Sequence, residues 1–192
     1  MKRILFLLAC TSFQFAQSQS ATLSSASSVF VLTPSGFRNA SDTSKDYLIF
    51  SVPEHKKSDL FKSVLMFAQK RYVNPKNVIS QVPDESITLN GFAPGSIGRN
   101  SMFFYDMDYT VNIEFKDDKI KVQAPTFTLS STAPGSLVTL KLVSNNSLDG
   151  SYQGIWNLRG KLKAERAKRN LETFFDLFLV QMRQAIESKN DW

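Results

Sequence analysis

The amino-acid sequence predicts an α+β fold in which a curved antiparallel sheet is covered on one face by two helices. The clearest sign of the sheet is the stretch 103–115, F-F-Y-D-M-D-Y-T-V-N-I-E-F, in which every odd-numbered residue is apolar. From Asp106 onward every even-numbered residue of this stretch is polar. Strict alternation is typical of a strand with one buried and one exposed face. Two amphipathic helical segments, 58–72 and 161–186, would cover the buried face.

The end of this strand predicts a hairpin. Asp117-Asp118 can form a two-residue loop, since Asp tolerates the positive φ angles that such loops need. In that register apolar residues face apolar residues and a charge faces an opposite charge, which is how a register is selected. The expected pairs are Phe115 with Ile120, Ile113 with Val122, Val111 with Ala124, Glu114 with Lys121, and Asn112 with Gln123.

The first helix is predicted over 58–72, with Ser58 as its N-cap and Asp59 at its positive end. Asn74-Pro75 ends it, because proline disfavours a helical conformation of the residue before it. Its apolar face consists of Phe61, Val64, Leu65, Ala68 and Tyr72.

The second helix, over 161–186, has a broad apolar stripe of Leu171, Phe174, Phe175, Phe178, Met182 and Ile186. Its start is basic, with Lys161, Lys163, Arg166, Lys168 and Arg169. Such a start is either a solvated face or a surface for an anionic membrane.

Shorter strands are predicted at 47–52, 77–82 and 85–92, with a turn or loop at 93–98. Beyond Pro125 the partner strand resumes over 126–129. The segment 136–144 has the composition of a further strand, and the rest of 130–160 has little periodic pattern.

The chain of 192 residues is long enough for one domain with a substantial core, and sixteen Phe indicate that this core is aromatic. Residues 1–18 are predicted to be a signal peptide, with a basic start, an apolar stretch and small residues before the cut. A flexible Ser/Thr-rich lead-in follows over 19–45, within which V-F-V-L at 29–32 could add a short edge strand, and a single domain occupies 46–192. The protein is therefore expected to be exported, to the periplasm or beyond the cell.

Cys10 is the single cysteine, and Leu7-Leu8-Ala9-Cys10 resembles a lipoprotein cleavage box. Lipidation there is the alternative to cleavage after Ser18, although the apolar stretch before Cys10 is short. If the signal peptide is removed, disulfides and cysteine metal sites are excluded. Lys2 and Arg3 also leave, and the net charge of +6 falls by 2 to +4. A charge of this size does not by itself indicate nucleic-acid binding.

Three segments together resemble a known family. They are K-S-D-L-F-K-S-V-L-M-F-A-Q-K-R-Y-V-N-P-K-N-V-I, then D-E-S-I-T-L-N-G-F, then Y-T-V-N-I-E-F-K-D-D-K-I-K-V. In this order they are similar to secreted bacterial domains of unknown function that have a TBP-like fold, over about residues 47–129. The resemblance implies a curved antiparallel sheet with both helices on one face, and it supplies no catalytic residues. This chain has Asp117-Asp118 where that family usually has Lys-Asp-Gly.

Few residues of the chain suggest chemistry. His55 is the single histidine and cannot seed a typical zinc site without further ligands. Asp106 and Asp108 lie on the same side of one strand, as an acid/base couple or two calcium ligands would, but no ligand-rich loop accompanies them. The serine-hydrolase and phosphate-loop motifs are absent from the sequence. We therefore expect no catalytic site, no metal and no cofactor.

The polar side of the sheet is the predicted binding surface, because no helix remains to cover it. It would carry Asp106, Asp108, Thr110, Asn112 and Glu114, with Thr88 and Asn90 from the neighbouring strand and with Tyr152 and Trp156 folded over an edge. Lys121 is the one basic residue expected among these acidic side chains, so this surface would repel the phosphates of nucleic acid. The expected partner is an envelope protein, a peptide or a small ligand. The oligomeric state stays open, as do three alternatives: a hydrolase or other enzyme with an acidic site, a scaffold domain, and a membrane-surface module acting through the basic helix or a lipid on Cys10.

Overall fold

The computed structural model describes residues 28–132, 138–144 and 152–188. The strands in these ranges are β1 (Phe30–Thr33), β2 (Gly36–Asn39), β3 (Tyr47–Ser51), β4 (Ile79–Val82), β5 (Ser86–Gly98), β6 (Phe104–Lys116), β7 (Lys119–Gln123), β8 (Thr126–Ser131), β9 (Thr139–Val143) and β10 (Tyr152–Trp156). The helices are α1 (Lys57–Arg71), α2 (Pro75–Val78) and α3 (Glu165–Glu187). The predicted signal peptide over 1–18, with Cys10, lies outside the described residues.

The predicted α+β fold class is confirmed. Eight strands form one sheet in the order β10-β9-β8-β6-β5-β4, and β7 extends it by pairing with both β6 and β3. Its ladders are antiparallel except for the parallel pair β9–β10. The central strand β6 begins at Phe104, so Phe103, predicted as its first inward residue, precedes the strand and is 47% exposed.

Both long helices pack on the same side of this sheet, as predicted. They contact each other, and both contact β5. The buried residues of α1 are Leu60, Phe61, Val64 and Ala68, and the buried apolar residues of α3 are Ala167, Leu171, Phe175, Phe178, Leu179, Met182 and Ile186. None of the described helices combines the length and the apolar character that crossing a membrane requires.

The predicted hairpin register is confirmed near the turn. Phe115 pairs with Ile120, Glu114 with Lys121, and Ile113 with Val122. The pairs expected further along, Val111 with Ala124 and Asn112 with Gln123, are not part of this ladder. From Thr110 back along β6 the partner is β8, beginning with Thr126 after Pro125. The proline therefore divides what alternation alone would read as one long partner strand.

The turn of this hairpin also caps α1, and the predicted Ser58 cap is wrong. Ser58 lies inside the helix, whereas the Asp117 carboxylate, at Oδ1, accepts the N–H of Lys57 at 2.8 Å. Asp118 has a φ of 61° and exchanges two hydrogen bonds with the backbone of His55. The two acids therefore anchor the start of α1 to the hairpin through contacts distant in sequence.

The loop predicted at 93–98 is instead the second half of β5. The register between β5 and β6 shifts between Ala93 and Ile97, so this part of the strand contains a β-bulge. Gly95 has a φ of 58° there, and its N–H donates to Asp106 Oδ1 at 2.7 Å. Pro94 is tolerated because β4 pairs only with the first residues of β5, which leaves the bulged segment at an edge. The bulge bends β5.

The sequence predicts a flexible lead-in over 19–45, and this prediction is wrong for residues 30–39. These residues form the β1–β2 hairpin, in which Phe30, Leu32 and Phe37 belong to the core. The Phe37 ring contacts the rings of Phe127 and Phe175 edge-on, with centroids 5.7 and 5.2 Å away. The short strand that the sequence allowed at 29–32 corresponds to β1. The four residues of β2 are too few to stand out from a Ser/Thr-rich background.

Two carboxylates of α3 hold β1 in place. Asp176 Oδ1 accepts the N–H of Val29 at 2.9 Å, and Glu172 Oε1 accepts the N–H of Leu32 at 2.9 Å. Glu172 is 9% exposed and also bonds the ammonium group of Lys168 one turn earlier. A buried carboxylate is tolerable here because it is hydrogen-bonded and paired with an ammonium group.

We predict that Glu172→Ala lowers the free energy of unfolding by about 1–3 kcal/mol, because it leaves the buried Leu32 N–H without an acceptor. Glu165→Ala is the matched control: Glu165 forms the same i,i+4 contact, with Arg169, on an exposed surface, and its loss should cost a few tenths of a kcal/mol. Urea unfolding measures both, and faster hydrogen exchange at the Leu32 amide would locate the effect. Equal losses for the two variants would contradict this role of Glu172.

Tyr109 links the sheet to both long helices. Its ring lies over Gly91, its partner on β5, where a Cβ would overlap it. The ring contacts Phe174 and Phe175 of α3 at centroid distances of 5.2 and 5.7 Å, and its hydroxyl is 2.9 Å from that of Tyr72 after α1. Burial, reinforced by the Tyr109 contact, raises the pKa of Tyr72 well above its usual value. Tyr109 thus has close partners on three elements of the fold.

We predict that Gly91→Ala destabilises the fold by about 1–3 kcal/mol, since the added methyl group must displace the Tyr109 ring. Thermal and urea unfolding of Gly91→Ala, Tyr109→Ala and the double variant form a mutant cycle. The double variant should lose clearly less stability than the sum of the two single variants, because removal of the ring makes room for the methyl group. Additive losses would show that the two residues do not compete for the same space.

Candidate functional site

The polar side of the sheet is open to solvent. Asp108, Asn112 and Asn90 are exposed on this side, whereas Tyr109 and Ile113 point inward and are 5% and 0% exposed. The other predicted binding residues from β5 and β6, namely Thr88, Asp106 and Thr110, are half-buried on the same side. We call this surface the open face.

A shallow depression of about 340 Å³ lies in the middle of the open face. Two cross-strand rows from β5, β6 and β8 form it: Asn90–Thr110–Thr126 and Phe92–Asp108–Thr128. The structure therefore brings three predicted residues together in one place and adds Phe92, Thr126 and Thr128, which the sequence did not indicate. Phe92 could have been found, because it occupies the polar side of the alternating stretch 85–92.

Cross-strand hydrogen bonds organise the polar side chains. Thr110 Oγ1 donates to Asn90 Oδ1 at 2.8 Å, and Thr88 Oγ1 donates to Asn112 Oδ1 at 2.9 Å. Each threonine proton is thus committed to an amide oxygen, which fixes the orientation of the asparagine side chain. The amide N–H groups of Asn90 and Asn112 then remain available as donors at the surface.

The two aspartates of β6 differ in what they contact. Asp106 is committed to the Gly95 N–H at the bulge. Asp108 is exposed, and among the described residues none forms a hydrogen bond or an ion pair with its carboxylate. Phe92, directly opposite on β5, is 58% exposed. The depression therefore presents a free negative charge beside an accessible aromatic ring.

The open face is not uniformly acidic, contrary to the sequence-based expectation. Lys116 and Lys119 pair across the hairpin and lie with Lys121 and Glu114 around one cavity at the hairpin end. The amide of Gln123, followed by the ammonium group of Lys121, lowers the pKa of the Glu114 carboxyl. The lining of this cavity therefore carries three lysines and one glutamate, whereas the acid of the depression is Asp108.

The predicted aromatic edge does not hold for Trp156. Its side chain is 6% exposed and belongs to the core, so it is not available to stack on a ligand. Tyr152 begins β10, and its side chain lies outside the described part of the chain. Both residues come from the stretch whose pattern was least informative.

The remaining candidates for chemistry are dispersed. His55 lies before α1 at the hairpin turn, with Nδ1 2.8 Å from the carbonyl oxygen of Pro53. In the described ranges no group of three or more His, Cys, Asp or Glu side chains is arranged to hold a metal ion.

No protein-family model and no curated protein matches the sequence. Two solved structures resemble the fold. A TBP-like protein from Parabacteroides distasonis superposes with a TM-score of 0.56 at 14% identity, over 75% of this chain and 92% of that one. A DUF4468 family protein from Bacteroides ovatus superposes with a TM-score of 0.50 at 14% identity, over 76% and 87% of the two chains. Neither is named for an enzymatic activity, and the TBP-like fold indicated by the sequence motifs is confirmed.

Proposed function

We propose that this chain is a non-catalytic binding module of the cell envelope, and that the depression on its open face receives a cationic side chain of a partner peptide or protein. The observation that carries the proposal is the uncommitted carboxylate of Asp108 beside the exposed ring of Phe92. The predicted signal peptide over 1–18 supports the location in the periplasm or outside the cell.

The chemistry around Asp108 suits an arginine or a lysine. A guanidinium or ammonium group placed there would pair with the carboxylate and lie against an aromatic ring, an arrangement worth about 0.5–2 kcal/mol for the ring contact. The neighbouring Asn90 amide can donate to a backbone carbonyl of the same partner. Selectivity for a positively charged group with a peptide backbone next to it follows from these two contacts.

The composition of the depression supports binding over catalysis. Its nine lining residues include one acid, Asp108, with no histidine, lysine, cysteine or second carboxylate. Glycoside hydrolysis needs a second carboxyl group on the other side of the scissile bond. The hydroxyl of Tyr109, the other titratable residue of the lining, is 2.9 Å from that of Tyr72. The hydroxyl group of Thr110, next to Asn90 in the same row, already donates its proton to the Asn90 amide oxygen.

We predict that Asp108→Asn and Phe92→Ala each weaken the binding of arginine- and lysine-containing peptides by roughly tenfold. The measurement uses an array of peptides that differ only in a central Arg, Lys, Gln or Glu, probed with the chain from residue 19 onward. Glu85→Gln is the matched control, because it removes an exposed carboxylate just before β5. All variants should keep the wild-type melting temperature.

Retention that is independent of the central residue, or unchanged in Asp108→Asn, would contradict the proposed site. A pull-down from the native envelope with the same variants identifies the partner. Turnover of substrates in a broad panel that disappears in Asp106→Asn or His55→Ala would instead favour the enzyme alternative.

A further inference from the structure

The connection between β5 and β6 carries a second exposed feature, distinct from the depression. Met102, Phe103 and Phe104 follow one another there and are 79%, 47% and 37% exposed. Single exposed apolar residues are normal on a protein surface, but three large ones in succession form a patch. We call these three residues the apolar tip.

The backbone beneath the apolar tip is internally hydrogen-bonded. The N–H of Arg99 donates to the carbonyl oxygen of Phe103 at 2.9 Å. The N–H groups of Met102 and Phe103 both donate to Asn100 Oδ1, each at 2.9 Å. This tip can therefore enter an apolar medium without leaving these donors unsatisfied, which is a requirement for contact with lipid.

Basic residues at the start of α3 lie near the apolar tip. The start of α3 is tied to the end of β5, because Asn170 Oδ1 accepts the N–H of Gly98 at 3.0 Å. This places the Arg166 guanidinium over the Phe104 ring, 5.5 Å from its centroid. Lys163, just before α3, is exposed, as is Arg169 one turn after Arg166.

The charge balance around the apolar tip is positive. Its cations are Arg99, Lys163, Arg166 and Arg169, and the acid among the first residues of α3 is Glu165, which is ion-paired with Arg169. Asp106, two residues after Phe104, is a second acid near the tip. Four positive charges and two negative charges give a net +2. The sequence left two interpretations of the basic start of the second helix, a solvated face and a surface for an anionic membrane. In the structure this basic start lies next to an apolar patch.

We propose that the apolar tip and its four cations dock on the surface of an anionic lipid bilayer. Met102 and Phe103 would enter the boundary between headgroups and acyl chains, while the guanidinium and ammonium groups contact lipid phosphates. Apolar insertion combined with attraction to anionic headgroups is the general mode of interfacial membrane binding. This surface goes beyond the proposed function, which concerns a different part of the molecule.

The acids of the open face do not oppose this docking. Asp108 follows Phe104 by four residues along β6, which is about 13 Å at ~3.3 Å per residue. That separation exceeds the Debye length of about 8 Å at physiological ionic strength. Asp106 is closer, and its carboxylate is committed to the Gly95 N–H.

Cosedimentation with lipid vesicles tests the proposal, using the chain from residue 19 so that the apolar stretch of the signal peptide does not contribute. Binding is expected to mixed phosphatidylglycerol–phosphatidylcholine vesicles, to be much weaker to phosphatidylcholine alone, and to decrease with added salt. Met102→Ser with Phe103→Ser should weaken binding by about tenfold. Lys163→Gln and Arg166→Gln should each weaken it by about fivefold.

Matched controls come from the same chain. Leu177→Ser removes an apolar residue of α3 that is 55% exposed, and Lys62→Gln removes an exposed cation of α1. Both should bind vesicles as the wild type does, and thermal unfolding verifies that every variant is folded. Asp108→Asn should also bind vesicles normally, so that failure of the membrane proposal and failure of the proposed function give different results.

Three results would overturn the proposal. The first is unchanged binding by the Met102/Phe103 double variant. The second is equal binding to anionic and neutral vesicles. The third is a loss of vesicle binding in the Leu177→Ser and Lys62→Gln controls as large as in the variants of the tip. Loss of a protein from an envelope pull-down by the double variant, without loss of vesicle binding, would assign the apolar tip to a protein partner instead.

Discussion

The close approach of Tyr109 to Gly91 is the constraint on which the rest of this structure depends. A ring that approaches a neighbouring strand this closely needs a position without a side chain, and Gly91 is that position. The ring then offers one edge to α3 and its hydroxyl to Tyr72. Because α3 is seated there, its carboxylates can hold β1, and its first turn lies against the end of β5. One glycine on β5 thus determines where the helical layer meets the sheet.

Local periodicity was sufficient for the elements whose partners are close in sequence. Alternation in 103–115 predicted which side chains of β6 point inward, and the hairpin register followed from apolar and charge pairing. The helical stripes were visible because α1 and α3 each repeat their apolar residues over several turns. The errors at Ser58 and 30–39 share one cause: each segment is determined by a partner distant in sequence, namely the hairpin turn and α3. The error at 93–98 has another cause, because a β-bulge accommodates the proline and glycine that are typical of a loop.

The candidate site was predictable in part for the same reason. Alternation placed Asp108, Thr110 and Asn90 on one side of the sheet, but it could not show which polar groups are already committed. That distinction depends on cross-strand contacts, such as the bulge amide that occupies Asp106 and leaves Asp108 free. Thr126 and Thr128 joined the site through the register of β8, which the proline at 125 concealed.

The geometry of β6 relates the two proposed surfaces to each other. The strand begins at the apolar tip and carries Asp108 in its middle and Glu114 near its far end. Its thirteen residues span roughly 40 Å at ~3.3 Å each. Two of the four cations near the tip, Arg166 and Arg169, belong to α3 on the covered side of the sheet, whereas Asp108 lies on the open face. The buried apolar side chains of the core lie between α3 and the open face. Within the described ranges, Asp108 forms no ion pair with a cation. A bilayer at the tip would therefore leave the Asp108 carboxylate in water and accessible from the side, where a partner of the envelope can reach it.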